Sequence, residues 1–229
     1  MRSEQRRLFK PLIWVEGTIG SGKTTFAREV GRRLKLRVIE EPVTENGDNP
    51  NPYLERFYQD PAKYAFGMQV FLLHKRYIMQ RLAADEATGV GGYQGAILDR
   101  SLSGDRVFAK LHLDAGNINQ LDWQTYEMAY NFMARTLLPP TLLVFLDVQP
   151  ETAYDRMRQR DRKAEAGVPL EYLQRLRLGY QELLQEAESG LMPWAHAVRV
   201  ARLVWDPDTV TVTHWDAVAK TVYDACRLA

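Results

Sequence analysis

The chain has 229 residues, of which 45% are hydrophobic, and this size and composition predict one globular domain over residues 1–229 rather than two domains. The 30 basic and 29 acidic residues leave a formal net charge of +1, so composition argues against nucleic acid or an anionic membrane as a partner. No apolar run approaches the roughly 18 residues that cross a bilayer, and the single cysteine, Cys226, suits a reducing compartment. We therefore expect a cytoplasmic protein.

Short apolar runs alternate along the chain with longer segments of helical period, which is typical of a parallel sheet wrapped by helices. The predicted strands are brief, and each is followed by turn or polar residues: 12–15, 37–39, 96–98, 141–146 and 199–205. The clearest predicted helices cover 23–34, 51–84, 123–138, 150–162, 170–187 and 215–228. The fold class that follows is α/β, with a central five-stranded parallel sheet.

The first strand runs into the sequence GTIGSGKTT, which matches the phosphate-binding pattern G-x-x-x-x-G-K-[ST]. Its backbone N–H groups and the N-terminus of the following helix face one anion, and Gly20 and Gly22 permit approaches that a Cβ would obstruct. Lys23 is expected to reach the β and γ phosphates of ATP, and the Thr24 hydroxyl to bind Mg²⁺. The sequence thus predicts a three-layer P-loop kinase sandwich, with ATP bound by Gly17, Thr18, Ile19, Gly20, Ser21, Gly22, Lys23, Thr24 and Thr25.

Charged residues end the second and third predicted strands, where open parallel sheets bind ligands. Glu40 and Glu41 point to opposite sides if their strand continues, so only one of them faces the phosphate crevice. A carboxylate there can take the proton of a hydroxyl group that accepts the phosphoryl group. The structural alternative is a solvated acidic residue at the end of the strand. Asp99 can take a water of Mg²⁺, while Arg100 can hold a phosphate or carboxylate with two prongs. An ordinary ion pair or helix cap is the alternative for that pair.

Four arginines follow the fourth strand, at positions 156, 158, 160 and 162. On a continuous helix they would point to two nearly opposite sides, so they cannot all serve one phosphate cluster. We therefore expect the helix to loosen into a mobile lid over about residues 158–168, bounded by Gly167 and Pro169, that brings guanidinium groups onto the transferred phosphoryl group. A solvated basic face is the alternative.

Five segments in one consistent order over residues 12–180 resemble the deoxynucleoside kinase family, particularly its bacterial deoxyadenosine and deoxyguanosine kinases. They are EGTIGSGKTT, EEPV, NPYLERFYQDPAKYAFGMQVFLLHKRY, LDRS and RMRQRDRKAEAGVPLEYL. The resemblance implies transfer of the ATP γ-phosphoryl group to the 5′-hydroxyl of a deoxynucleoside, in nucleotide salvage. It also implies that Glu41 is the general base, that Arg100 orients the hydroxyl, that Asp99 lies near the metal, and that the chain forms a homodimer through a helical bundle.

The resemblance assigns the acceptor and lid residues as well. Gln69 matches a glutamine that forms a paired hydrogen bond with the base edge, for which an amide has both a donor and an acceptor. Tyr58 and Glu165 match the pair that recognises the sugar 3′-hydroxyl. The arginines that match phosphate-binding lid residues are Arg158, Arg160 and Arg162, and the adenine-binding loop is placed around residues 206–208.

Base selectivity is implied by two further positions. Arg76 lies seven residues after Gln69, as does an arginine that purine- and cytosine-accepting members pair with an aspartate, and Asp105 matches that aspartate. Such a pair favours amino-bearing or purine bases over thymine. This chain has one residue fewer than those members between Arg100 and Phe108, and it has Asn46 near a tryptophan of broad-specificity relatives. The resulting prediction is a kinase for purine deoxynucleosides, deoxyadenosine or deoxyguanosine.

Three other classes compete with this interpretation. A nucleoside monophosphate kinase such as thymidylate kinase would need a basic acceptor pocket, and Gln69 and Glu165 argue against it. A non-catalytic binding subunit of the same fold could lose Lys23, Glu41 or the lid arginines, yet all are present. A regulatory GTPase would carry a guanine-specifying N-K-x-D motif after a strand, and the sequence has none.

Overall fold

A computed structural model describes residues 10–40, 51–160, 165, 167–194, 196–205 and 212–227. Its strands are β1 (Leu12–Glu16), β2 (Arg37–Ile39), β3 (Ala96–Asp99), β4 (Leu142–Asp147) and β5 (Val200–Val204). Its helices are α1 (Lys23–Leu34), α2 (Leu54–Gln59), α3 (Pro61–Ala87), α4 (Leu102–Asp114), α5 (Gln120–Arg135), α6 (Pro150–Arg160), α7 (Leu170–Glu188) and α8 (Val212–Arg227).

The five strands form one parallel sheet in the order β2-β3-β1-β4-β5, which confirms the predicted sheet. β1 lies in the middle, with Ile13 opposite Ile97 of β3 on one side and opposite Leu142 of β4 on the other. All five strands point the same way, so their carboxyl ends meet at one edge of the sheet. That edge carries the phosphate-binding loop after β1 and the Asp99–Arg100 segment after β3.

Both faces of the sheet are covered, which produces three layers. Successive side chains of β1 point to opposite faces: Ile13 and Val15 pack into a core with residues of α1, α7 and α8, while Leu12 and Trp14 pack with residues of α3. A further apolar cluster joins residues from α2, α3, α4 and α5 to one another. Burial on both faces explains why the strands read as continuous apolar runs in the sequence.

The largest differences between predicted and observed helices are the break before Pro61 and the helix α4, and α5 is also shifted, to Gln120–Arg135 from the predicted 123–138. The segment predicted as one helix over 51–84 is two helices, because Pro61 begins α3 and the Asp60 side chain accepts a hydrogen bond from the Lys63 N–H across its first turn. The predicted set also lacks α4, which begins after Ser101, whose hydroxyl accepts a bond from the Gly104 N–H. Both starts carry ordinary N-terminal signals in the sequence.

The α6 helix ends at Arg160, inside the predicted lid of about residues 158–168 and two residues before the predicted end of that helix. Of the lid, residues 161–164 and 166 lie outside the described part of the chain. None of the helices in the described ranges is both long and apolar enough to cross a membrane.

Candidate active site

The loop between β1 and α1 has the backbone geometry expected of a phosphate cradle. Gly20 and Gly22 have φ angles of 78° and 83°, in the left-handed region that favours glycine. A Cβ on Gly20 would lie 2.2 Å from the carbonyl oxygen of Ala153 in α6, so the loop passes too close to α6 for any side chain. The first turn of α1 follows directly, and its N–H groups point towards the loop.

Lys23 is the first residue of α1, and its side chain is folded back over the loop. Its ammonium group donates to the carbonyl oxygens of Gly17, at 3.1 Å, and Thr18, at 2.7 Å, and to the Ser21 hydroxyl at 3.4 Å. Lys23 is only 6% exposed. The positive charge is therefore fixed against the loop backbone, where the N-terminus of α1 adds to it.

Thr24 and Asp99 join the loop to the end of β3. The Thr24 hydroxyl donates a hydrogen bond to Oδ2 of Asp99. Asp99 is 1% exposed, and its other oxygen, Oδ1, is a buried acceptor without a hydrogen-bond partner in the described part of the chain. Within those residues, no group of three or more His, Cys, Asp or Glu side chains is arranged to hold a metal ion. This sparse oxygen set fits Mg²⁺, which keeps several waters and takes other ligands from substrate phosphates.

Arg100 follows Asp99 in a left-handed backbone conformation, with φ of 72°. A non-glycine residue in that region is strained and persists only where its surroundings fix it. The Arg100 N–H donates to the Val15 carbonyl at 2.9 Å, and the next N–H, of Ser101, donates to Oε1 of Glu16 at 2.8 Å. Both bonds tie the bend to the end of β1.

The Arg100 side chain is buried beside two aromatic rings. Its guanidinium carbon lies 4.4 Å from the centre of the Phe108 ring, and Nη1 donates to the Tyr180 hydroxyl of α7. Burial raises the pKa of Tyr180 well above its usual value, Arg100 lowers it, and Glu16 and Asp105 raise it further. The phenol is therefore neutral, and it lies among a guanidinium group and two carboxylates.

The α3 helix presents Gln69 and Arg76 two turns apart on its buried face. Arg76 donates from Nε to Oδ2 of Asp105 at 2.9 Å and from Nη1 to the Asp99 carbonyl at 3.2 Å. The structure thus brings together the predicted Arg76 and Asp105. Gln69 is 1% exposed, and its Oε1 has no hydrogen-bond partner among the described residues, so a buried amide oxygen is available to a ligand.

The predicted sugar and lid residues lie around the same edge. Tyr58 is on α2, its ring 5.2 Å from Phe57. Glu165 accepts two hydrogen bonds from Nη2 of Arg160, each 2.6 Å long. Arg158 lies at an exposed position in the last turn of α6. In this arrangement Arg160 binds the predicted sugar-binding glutamate through Nη2.

Several predicted site residues lie outside the described part of the chain, namely Glu41, Asn46, Arg162 and the 206–208 loop. The neighbouring Glu40 is described, and it forms a two-pronged ion pair with Arg28 at 2.6 Å for each bond. The Arg28 hydrogen bond lowers the pKa of Glu40 below its usual value. Of the two adjacent glutamates, Glu40 therefore already has its carboxylate bound by Arg28 at the surface of α1.

A cleft of about 730 Å³ opens beside the phosphate loop, where β4 and β5 end. Asp147 and Gln149 line one side, Trp205 the end of β5, and His214 the start of α8. Arg177 of α7 donates to Asp147 at 2.9 Å. Thr152 of the cleft is one residue from Ala153, against which Gly20 of the phosphate loop packs.

Sequence reasoning missed Glu16 and Tyr180. Glu16 is fully buried at the end of β1, and burial raises the pKa of its carboxyl group against the lowering effects of Arg100, Ser101 and Lys23. The available signal was a charged residue at the end of an apolar strand, directly before the phosphate loop. Nothing in the sequence pattern marks Tyr180, which is 80 residues from Arg100 and is brought to it only by the packing of α7.

Comparisons with known proteins agree with this geometry. The model of a family described as deoxynucleoside kinase matches residues 13–223. The chain is 37% identical over 219 residues to a deoxyadenosine kinase of Dictyostelium discoideum, which covers 94% of this chain and 80% of that protein. It is 32% identical over 173 residues to a deoxyadenosine/deoxycytidine kinase of Bacillus subtilis, covering 74% and 75% respectively. A solved structure of deoxyadenosine kinase from M. mycoides with bound dCTP superimposes with a TM-score of 0.72 at 27% identity, over 93% of this chain and 98% of that one.

Proposed function

The chain belongs to the deoxynucleoside kinase family and is an ATP-dependent phosphotransferase acting on deoxynucleosides, and we propose that its preferred acceptor is a purine deoxynucleoside, phosphorylated on its 5′-hydroxyl. The observation that carries this proposal is that two chemically different regions lie next to each other at the carboxyl edge of the sheet. Lys23 and the glycine loop form an anion cradle on one side, while the buried Arg76–Asp105 pair and Gln69 form a polar, charge-balanced pocket on the other. A pocket of that kind suits an uncharged nucleobase.

The base preference rests on hydrogen-bonding capacity. Asp105 is an acceptor for an exocyclic amino group, and the Gln69 amide can donate to and accept from one base edge. Thymine presents a carbonyl where adenine and cytosine present an amino group, so it would place an acceptor against the Asp105 carboxylate. Guanine also presents a carbonyl at that ring position, so this contact favours deoxyadenosine among the purine deoxynucleosides. The names of the deoxyadenosine and deoxyadenosine/deoxycytidine kinases are consistent with an amino-bearing base.

Catalysis in this proposal is mostly positioning and electrostatics. Lys23 and the lid arginines Arg158, Arg160 and Arg162 offset the charge of the transferred phosphoryl group. Glu41 removes the proton of the 5′-hydroxyl, and Arg100 orients that hydroxyl. Tyr58 and Glu165 hold the sugar 3′-hydroxyl, which requires Glu165 to release Arg160 towards the phosphates as the lid closes.

Thr24 and Asp99 are the residues that would hold Mg²⁺, since their side chains already meet and Asp99 keeps one buried oxygen unpaired within the described residues. When bound with ATP, the metal neutralises charge on the β and γ phosphates. The adenine of ATP would occupy the cleft at the ends of β4 and β5, since β4 neighbours the strand that leads into the phosphate loop. A cytoplasmic location fits the single cysteine, because such compartments keep thiols reduced.

A homodimer is the proposed assembly. Leu121, Met128 and Phe132 of α5 are 72–73% exposed and recur at helical spacing. The α5 helix packs beside α3, where the Tyr77 and Thr136 hydroxyls are 3.1 Å apart, and α3 adds the exposed Ile78. An apolar surface of this kind is usually covered by a partner. In sedimentation velocity experiments we expect a dimer, a monomer for Met128→Glu, and a dimer for the control Leu191→Glu, which is equally exposed outside this surface.

The deciding experiment is steady-state phosphorylation of the four deoxynucleosides with Mg-ATP, with dAMP and dTMP as further acceptors. We expect kcat/KM to be highest for deoxyadenosine or deoxyguanosine. A preference for thymidine or for deoxycytidine would overturn the purine assignment alone. Activity confined to the two monophosphates would instead make the chain a nucleotide kinase, and no activity on any acceptor would favour a binding subunit.

A further inference from the structure

The carboxylate of Glu16 lies between the donor and acceptor halves of the site, and the proposed reaction gives it no role. It is the last residue of β1, directly before Gly17 of the phosphate loop. Oε1 accepts from the Ser101 N–H at 2.8 Å and from the Ser101 hydroxyl at 2.5 Å, and a hydrogen bond between Glu16 and the Tyr180 phenol raises the pKa of that phenol. A fully buried carboxylate is unfavourable for stability even when it is hydrogen-bonded. Its presence therefore calls for a function.

The contacts of Glu16 fix the backbone of Arg100. The β3 strand ends at Asp99, yet the next two residues still bond to β1. The Arg100 N–H donates to the Val15 carbonyl, and the Ser101 N–H donates to the Glu16 side chain. Arg100 lies between these two anchors in its left-handed conformation. Without the Glu16 anchor, the strain at Arg100 can relax by rotation of the bend, because one of the two flanking bonds is lost.

The packing around Glu16 leaves no room for another arrangement. A Cβ on Gly104 would lie 2.3 Å from Oε2, so the first turn of α4 is in direct contact with the carboxylate. The positive end of that helix faces the carboxylate, and Arg100 and Lys23 lie close enough to interact with its charge. Glu16 thus contacts the start of α4 and lies within electrostatic reach of both cations of the site.

We propose that Glu16 is a positioning residue, which holds Arg100 in place relative to the phosphate loop by bonding Ser101 and by attracting the Arg100 guanidinium group with its charge. Because Glu16 and Gly17 are adjacent, the donor cradle and the acceptor arginine then move as one body. This inference rests on the proposed function, in which Arg100 orients the 5′-hydroxyl. Misplacement of an orienting group by about 1 Å is enough to slow a reaction by roughly 100-fold.

The test is Glu16→Gln beside the matched control Glu86→Gln. Gln keeps an oxygen for Ser101 but removes the charge next to Arg100. Glu86 is also buried, but its partners are Arg37 and the Tyr93 N–H, at the opposite edge of the sheet from the phosphate loop. We expect kcat of Glu16→Gln to fall about 10- to 100-fold, with KM for ATP and deoxynucleoside within about twofold of wild type. The thermal midpoint should fall no more than that of Glu86→Gln.

A second pair keeps the test decisive if Glu16→Gln does not fold. Ser101→Ala removes the hydroxyl bond to Glu16 and also an N-cap, whereas Asn119→Ala removes only the N-cap of α5. We expect kcat to fall by roughly 3- to 10-fold in Ser101→Ala and to stay at the wild-type value in Asn119→Ala.

Unchanged kcat in both Glu16→Gln and Ser101→Ala, or in Ser101→Ala if only that variant folds, would overturn the inference. So would an equal fall in kcat in the matched control. A wild-type enzyme that is active on deoxynucleosides in the same assay separates this failure from failure of the proposed function.

Discussion

Arg76 donates a hydrogen bond from Nε to Oδ2 of Asp105 over 2.9 Å, and the two side chains are only 2% and 4% exposed. The pair joins α3 to α4 and is buried at the acceptor side of the site. Breaking one member of a buried ion pair leaves the other charge uncompensated, which lowers the free energy of unfolding by about 3–5 kcal/mol.

Asp105→Asn tests the role of this pair in base selection. Because the substitution removes the carboxylate that accepts from an amino group, we expect the ratio of kcat/KM for deoxyadenosine over thymidine to fall by about tenfold or more. Asp114→Asn, whose exposed carboxylate pairs with Lys110 on the same helix, is the control and should keep the wild-type ratio. An unchanged ratio in Asp105→Asn would show that Asp105 does not select the base.

The adjacent glutamates after β2 provide a second prediction. Glu41→Gln should lower kcat by about 100-fold or more while the affinity for ATP is retained, because an amide cannot take the proton of the 5′-hydroxyl. Glu40→Gln is the control, since Glu40 is bound by Arg28 on the surface of α1. Steady-state kinetics and ATP titration of both variants make the comparison. Equal activity of the two variants would remove Glu41 as the general base.

The contact between Gly20 and Ala153 predicts a defect in donor binding. Gly20→Ala adds a Cβ 2.2 Å from a carbonyl oxygen at a φ of 78°, so the phosphate loop or α6 must shift. Gly89→Ala is the control for φ alone, since its φ is 91° and its Cβ would meet no atom within 4 Å. We expect Gly89→Ala to lose only about 1–2 kcal/mol of unfolding free energy. Gly20→Ala should lose more and also raise KM for ATP, as urea unfolding and kinetics will show.

His112 predicts a pH dependence of stability. Burial among residues that include Phe57, whose ring is 5.0 Å away, lowers the pKa of His112 from 6.5 to about 4. The unfolded chain therefore binds a proton that the folded chain does not between these values, so stability is highest above pH 6.5 and falls as the pH drops towards 4. Against His112→Gln, the wild type should lose up to about 3 kcal/mol more over this interval.

Urea unfolding at about pH 7.5, 6 and 5 measures this difference, because these values run from above the unfolded pKa of His112 into the interval where its stability effect is lost. His74→Gln, at an exposed position on α3, is the control for the effect of replacing any histidine by glutamine. Parallel stability curves for the wild type and His112→Gln would contradict the assignment.

Local signals explain which elements the sequence could predict. The bounds of α1 were predicted without error, and the signal for its start is the glycine pattern that precedes Lys23. In the structure the helix ends at Leu34, and Lys35 follows it in a left-handed conformation. The parallel sheet followed from five apolar runs. The break at Pro61 and the start of α4 at Ser101 were also readable, because a proline after aspartate and a serine before a helix are N-terminal signals.

The candidate site was predictable only where its chemistry is local in sequence. The phosphate loop carries its own spacing, and Arg76 and Asp105 were paired by resemblance. The neighbours of Arg100 were not predictable, because Glu16 and Tyr180 reach it from distant parts of the chain through the order of the strands and the packing of α7. A contact of that kind has no period or spacing in the sequence.

The central place of β1 has a consequence for how the enzyme opens. The phosphate loop continues a strand that is bonded to β3 on one side and to β4 on the other, whereas β5 is an edge strand with Val204 94% exposed. Amide hydrogens of β5 should therefore exchange with solvent through local opening, while those of β1 should exchange only when the whole molecule unfolds. The cleft proposed for adenine can therefore open locally at β5, whereas the anion cradle stays assembled until the whole molecule unfolds.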